Sequence, residues 1–174
     1  MGIFYHVSSI KLDKGTILEP RYGDTINTHR YFRDTYSRFS QYLKESIFED
    51  VRTNKFSSSP SRVKSIYLWQ DLENAMIYKN KYNKSFIYEV VLEEPNLAKE
   101  FDMSWMDLTD FQYYDSIKEI ADYYYSGKSV NEGSVNWGFY EDSGAKLEPI
   151  WETLYEGKAT VKRLVSGKNC RYHF

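Results

Sequence analysis

The sequence predicts a single α+β domain over residues 1–174, with a mostly antiparallel sheet core and flanking helices. Three observations lead there. Strand-like patterns lie near both ends, helical periodicity fills the middle, and tight turns rather than crossover helices join the last strands, so no regular βαβ order builds a parallel sheet. A chain of 174 residues, 41% of them hydrophobic, buries roughly two thirds of its unfolded surface, enough for one core and too little for two ordinary domains.

The elements follow in order. Ile3-Phe4-Tyr5-His6-Val7-Ser8 is aromatic and β-branched and closes on a polar residue, the pattern of a strand that turns His6 to one face. From Asp34 to Lys55 the residues Phe39, Tyr42, Leu43, Ile47 and Val51 recur at three- and four-residue spacing with charges between them, which predicts an amphipathic helix. Ser57-Ser58-Ser59-Pro60-Ser61 ends it, because the residue before a proline is pushed out of the α region and serines compete for backbone hydrogen bonds. Val63 to Leu68 alternates as a short strand, and Asp71 is placed to cap a helix carrying Leu72, Ala75, Met76, Lys79 and Tyr82. Phe86 to Leu92 is a strand stopped by Glu93-Glu94-Pro95. A third helix runs from Asp110 to Ser126 and stops at Gly127. A polar stretch with Gly133, Gly138 and Gly144 leads to a strand around Glu152–Tyr155, a Glu156-Gly157 turn and a strand from Ala159 to Val165. The segment from Glu93 to Trp105, with Phe101, Met103 and Trp105, reads equally as a lid or as a packed connection.

Composition narrows the function classes. A net charge of −2 gives no global attraction to nucleic acid or to anionic membrane. The halves differ, however: residues 1–84 hold 14 Lys and Arg against 9 Asp and Glu, and residues 85–174 hold 9 against 16. Cys170 has no partner cysteine, which fits a reducing compartment. With no apolar run near ~20 residues and no signal-peptide pattern, a cytoplasmic protein without membrane association is expected. Phosphate-binding glycine loops, nucleophile elbows and metal-spaced Cys or His pairs do not occur, and His6, His29 and His173 are the only histidines.

Three short motifs remain: Tyr5-His6-Val7-Ser8; Ser65-Ile66-Tyr67-Leu68 followed by Ala75 and Tyr78; and Glu152-Thr153-Leu154-Tyr155-Glu156-Gly157 followed by Ala159-Thr160-Val161. Taken together and in this order they resemble the ADP-ribosyltransferase superfamily, in the branch marked by His, Tyr and Glu on three separate strands. The third motif matches best. The first departs from the family's Tyr-His-Gly-Thr, since Val7 stands where glycine holds the nicotinamide carboxamide through its backbone and would crowd the pocket. The resemblance implies a split antiparallel sheet and NAD as substrate. Glu152 would stabilise the oxocarbenium-like charge that builds as nicotinamide leaves and would accept a ribose hydroxyl. His6 would bind the other ribose, Tyr67 and then Tyr78 would stack on nicotinamide, and Arg62 would pair with the pyrophosphate. Val7, Ser8 and Ser65 complete the implied NAD-binding set.

Each of these residues also has an ordinary structural reading: a satisfied strand histidine, a core tyrosine, a solvated strand-end carboxylate, an arginine paired at the surface. The resemblance implies a mono-ADP-ribosyltransferase acting on a protein or nucleic-acid acceptor, with NAD glycohydrolase activity or a non-catalytic binding or inhibitor module on the same fold as alternatives. Compact relatives serve as bacterial or phage toxins and effectors, some with a cognate inhibitor. Ile150 replaces the glutamate that arginine-modifying members carry two residues before the catalytic one, which argues against an arginine acceptor. His29, Arg30, Arg33, Arg38, Arg52, Lys55, Arg62 and Lys64, interleaved with Tyr31, Phe32, Tyr36, Phe39 and Phe56, suit single-stranded nucleic acid, which needs phosphate contacts and stacking platforms.

Overall fold

The structure is a computed structural model and describes residues 2–31, 36–110, 113–132 and 148–167. Its strands are β1 (Phe4–Ser8), β2 (Ile17–Leu18), β3 (Ile66–Leu68), β4 (Phe86–Leu92), β5 (Lys99–Asp102), β6 (Trp151–Tyr155) and β7 (Ala159–Ser166). They form two antiparallel sheets, ordered β1-β4-β7-β2 and β3-β6-β5. The flanking helices are α1 (Tyr22–His29), α2 (Tyr36–Lys55), α3 (Leu72–Lys81), α4 (Ser104–Asp107) and α5 (Tyr114–Tyr125). The α+β class and the antiparallel pairing are those expected. None of the helices among the described residues is long and apolar enough to cross a membrane.

Among the described residues one backbone bridge joins the sheets. Tyr5 of β1 and Trp69, just past β3, exchange both backbone hydrogen bonds, at 2.8 and 2.9 Å. Between the sheets lies a core of Phe4, Ile66, Leu68, Tyr88, Val90, Tyr155 and Val161. On the outer side of the second sheet, Leu154 and Phe101 pack under Phe48 and Val51 of α2 and Ile120, Tyr124 and Tyr125 of α5. Each fully buried Leu, Ile or Phe here contributes about 1.5–3 kcal/mol.

Asp71 caps α3 as its spacing predicts, accepting the Asn74 N–H at 3.2 Å. Only the second half of the expected 63–68 strand forms. Arg62–Lys64 is a single 3₁₀ turn, closed by the Lys64 N–H to the Ser61 carbonyl at 3.2 Å. The segment from Glu93 to Trp105 is a packed connection: β5 pairs with β6, and Phe101, Met103 and Trp105 are buried. Asp102, fully buried, fixes its end by accepting N–H bonds from Ser104, Val130 and Ile150, and so pins the start of β6. Asp34, Gly133, Gly138, Gly144, Cys170 and His173 lie outside the described residues.

Two glycines are required by crowding rather than by backbone torsion. A Cβ at Gly23 would sit 2.4 Å from the Val63 carbonyl oxygen, so α1 can lie on the 3₁₀ turn only with glycine there. A Cβ at Gly157 would sit 2.2 Å from the Tyr155 hydroxyl, which accepts the Glu94 N–H at 3.0 Å. Gly23→Ala and Gly157→Ala should each cost about 1–3 kcal/mol, lowering the thermal midpoint by roughly 2–4 °C per kcal/mol. Calorimetric scans that leave both midpoints unchanged would show that these contacts relax without cost.

Candidate functional site

A cavity of about 890 Å³ opens where β1 and β3 meet, walled by α1, α2, α3 and the segment around α4. His6, Val7, Ser8, Arg62, Ser65, Tyr67, Tyr78 and Glu152 all line it. The eight side chains named from sequence are thus brought together from five separate elements.

The cavity floor is a buried charge cluster. Arg62, on the 3₁₀ turn, is 5% exposed, and Glu45 and Glu152 are each 1% exposed. Arg62 Nε donates to Glu45 Oε2 at 3.0 Å and Nη2 to Glu45 Oε1 at 3.2 Å, while Nη1 donates to Glu152 Oε1 and, at 2.8 Å, to the Tyr124 hydroxyl. Tyr124 in turn donates to Glu152 Oε1 at 2.7 Å. Behind Glu45, the Tyr22 hydroxyl donates to Oε1 at 2.9 Å and accepts from Gln41 Nε2 at 2.9 Å. Both hydrogen bonds to Glu152 from described residues end on Oε1, and none ends on Oε2.

Burial sets the electrostatics. It raises the Glu152 carboxyl above its ordinary range, with Arg62 and Tyr124 pulling the other way. Burial opposes the charge of Arg62, but Glu45 and the surrounding groups hold it firmly protonated. His6 is pushed down by burial, partly offset by its contact with the Tyr67 backbone oxygen, 3.3 Å from Nδ1, so the ring is neutral at pH 7. Tyr78 is pushed up to about 12 by burial, and burial also raises Tyr67, Tyr124 and Tyr22.

The walls are aromatic. Tyr22 meets Tyr67 edge to face at 5.1 Å, and Tyr78 leans on Trp69 at 4.3 Å. The Tyr67 hydroxyl donates to the Arg62 carbonyl at 3.1 Å, which holds the ring against the floor. Val7 lines the cavity beside Trp69 and packs with it, Ala75 and Ile87. Ser8 closes β1 by a local turn, its Oγ accepting the Ile10 N–H at 3.1 Å. The Ser65 Oγ is buried with no partner among the described residues.

Arg62 differs most from expectation. Its guanidinium is committed to two carboxylates, so a pyrophosphate would have to displace one of them. Arg21 and Lys84 also line the cavity, and neither makes an ion pair with a described residue. Of the basic set expected to meet nucleic acid, Arg52 pairs with Glu49, Lys55 pairs with Asp122, and Arg62 is buried. Phe32 and Arg33 lie outside the described residues.

Sequence reasoning missed Glu45, Tyr22 and Tyr124. It placed Leu43 on the buried face of α2, whereas Leu43 is 45% exposed and Glu45, Phe48 and Val51 face inward. The available signal was the three-residue spacing from Glu45 through Phe48 to Val51.

The chain matches over residues 5–137 a family model described as a protein of unknown function (DUF2441). No curated protein matches it.

The raised Glu152 carboxyl has a consequence for stability. A group whose folded pKa lies above its unfolded value stabilises the fold fully below the unfolded value, about 4.5, and loses that contribution as pH rises through the folded value. Glu152→Gln keeps an oxygen to accept from Arg62 and Tyr124 but cannot ionise. Its midpoint relative to wild type should therefore rise between pH 4 and pH 7 in calorimetric scans. A difference that is flat or falls with pH would mean that Glu152 is ionised at no net cost.

Proposed function

Because the chain belongs to this family of unknown function, the cavity itself has to carry the functional reading, and we propose that the protein is an NAD-dependent mono-ADP-ribosyltransferase. It moves ADP-ribose from NAD to a macromolecular acceptor and releases nicotinamide. The observation that supports this most directly is that His6 of β1, Tyr67 of β3 and Glu152 of β6 line one cavity, whose ~890 Å³ lies within the usual range for small-ligand sites. The division of the strands into two sheets, bridged through the backbone at Tyr5 and Trp69 and packed on one core, supports an ADP-ribosyltransferase-like fold.

The chemistry fits the charges. Cleaving the bond between nicotinamide and ribose creates positive charge on the sugar. The floor offers two carboxyls against one guanidinium, so it favours a cation that exists only as the bond breaks. Glu152 Oε2 is the acceptor for a ribose hydroxyl, with Oε1 fixed by Arg62 and Tyr124. Neutral His6 holds the second ribose, and Tyr67, backed by Arg62 and Tyr22, gives the nicotinamide ring its platform. Arg21 and Lys84 take the pyrophosphate contacts, since Arg62 is engaged.

One observation favours a different reading. The Glu152–Arg62 ion pair also suits a non-catalytic binding module that keeps a carboxylate for structure. Nicotinamide release from NAD by purified protein, with and without cell lysate, separates the two. Wild type should release nicotinamide, and Glu152→Gln should reduce the rate at least 100-fold while remaining folded. Lysate dependence marks transfer, and release without lysate marks NAD hydrolysis. No release from wild type in either condition would overturn the enzymatic reading.

A further inference from the structure

We propose that the Trp69 indole is a ligand-binding group in this cavity, donating a hydrogen bond to a neutral carbonyl or hydroxyl oxygen of the substrate beside Glu152; the identity of that substrate as NAD rests on the transferase reading.

An indole N–H can only donate. Trp69 is 1% exposed, and its Nε1 has no hydrogen-bond partner among the described residues. A buried donor left in that state costs free energy, of order 1–3 kcal/mol. The residue is held on both sides. Its backbone is held by both bonds to Tyr5, and its face rests on Tyr78 at 4.3 Å.

The sequence positions the group. Along the extended segment from Ser65 to Trp69, Ile66 and Leu68 enter the core between the sheets. The alternate residues Ser65, Tyr67 and Trp69 therefore share the other face, and all three line the cavity. Of the buried polar atoms without a partner, Ser65 Oγ and Trp69 Nε1 belong to cavity-lining residues, whereas His29, Tyr125 and Thr153 do not line it. Along the backbone the two residues lie about 13 Å apart, four steps of an extended strand, with Tyr67 midway in the sequence. Across the sheet, Leu68 pairs with Thr153. Trp69 and Glu152 are the next residues along the two strands, and both line the cavity.

That position selects the ligand group. Two carboxyls against one guanidinium repel a phosphoryl oxygen, so the donor suits an uncharged acceptor attached to or near a planar ring on Tyr67.

The test is a ¹⁵N–¹H NMR titration of the indole signals, Trp69 being the one lost in Trp69→Phe, with NAD and separately with benzamide, a planar ring carrying one carbonyl. Both ligands should move the Trp69 signal. Trp69→Phe should bind NAD roughly five- to tenfold more weakly, the loss of one hydrogen bond, with its thermal transition retained. NAD binding that leaves the Trp69 signal in place would overturn the inference and leave the transferase reading standing. Benzamide moving the signal while NAD fails to bind would keep the Trp69 site and remove NAD as its ligand. No movement with either ligand would overturn the inference.

Discussion

Arg62 is the residue on which the rest of this structure depends. One guanidinium, buried on a single 3₁₀ turn, holds Glu45 of α2 and Glu152 of β6 and contacts Tyr124 of α5. Tyr22 of α1 joins through Glu45. Four helical segments and the second sheet are thus oriented around one side chain. Such a cluster is weak evidence for stability, since desolvating three ionisable groups offsets most of their attraction. What it supplies is geometry. Every hydrogen bond in it has a fixed direction, and those from described residues to the Glu152 carboxyl leave its Oε2 without a partner.

The arrangement gives the proposed chemistry a division of labour. Floor carboxyls meet developing positive charge, tyrosine rings meet the leaving base, and Arg21 and Lys84, which make no ion pair with a described residue, are on the walls rather than the floor. Moving Arg62 from the phosphates to the floor makes Glu152 a positioned carboxylate rather than a freely rotating one. Binding energy is then directed to the transition state instead of being spread evenly over the substrate.

Much of the fold was legible because local signals were strong. The Asp71 cap, the alternation from Phe86 to Leu92 and the turn at Gly157 each arise from a few adjacent residues. α1 and β5 were missed because tertiary contacts make them. Tyr22–His29 has a single buried residue, Ile26, and depends on Gly23 seating it against Val63. Lys99–Asp102 is a strand because β6 pairs with it. In the site, the motif resemblance singled out His6, Tyr67 and Glu152, which line one cavity, but not the residues that hold them. Glu45 resembles any charged helix residue until a buried arginine is set opposite it, and Tyr124 is one of three consecutive tyrosines. The role of Arg62 changed for the same reason: sequence shows a charge, and only packing shows which charges share its cavity.

The central claim, that the cavity binds NAD with its reactive ribose on Glu152, is tested most directly by a crystal structure of the Glu152→Gln protein with NAD. Nicotinamide stacked on Tyr67, with a ribose hydroxyl within hydrogen-bond distance of residue 152 and the Arg62–Glu45 pair intact, is the expected result. NAD bound elsewhere, or a phosphate on Arg62 with Glu45 displaced, would contradict it.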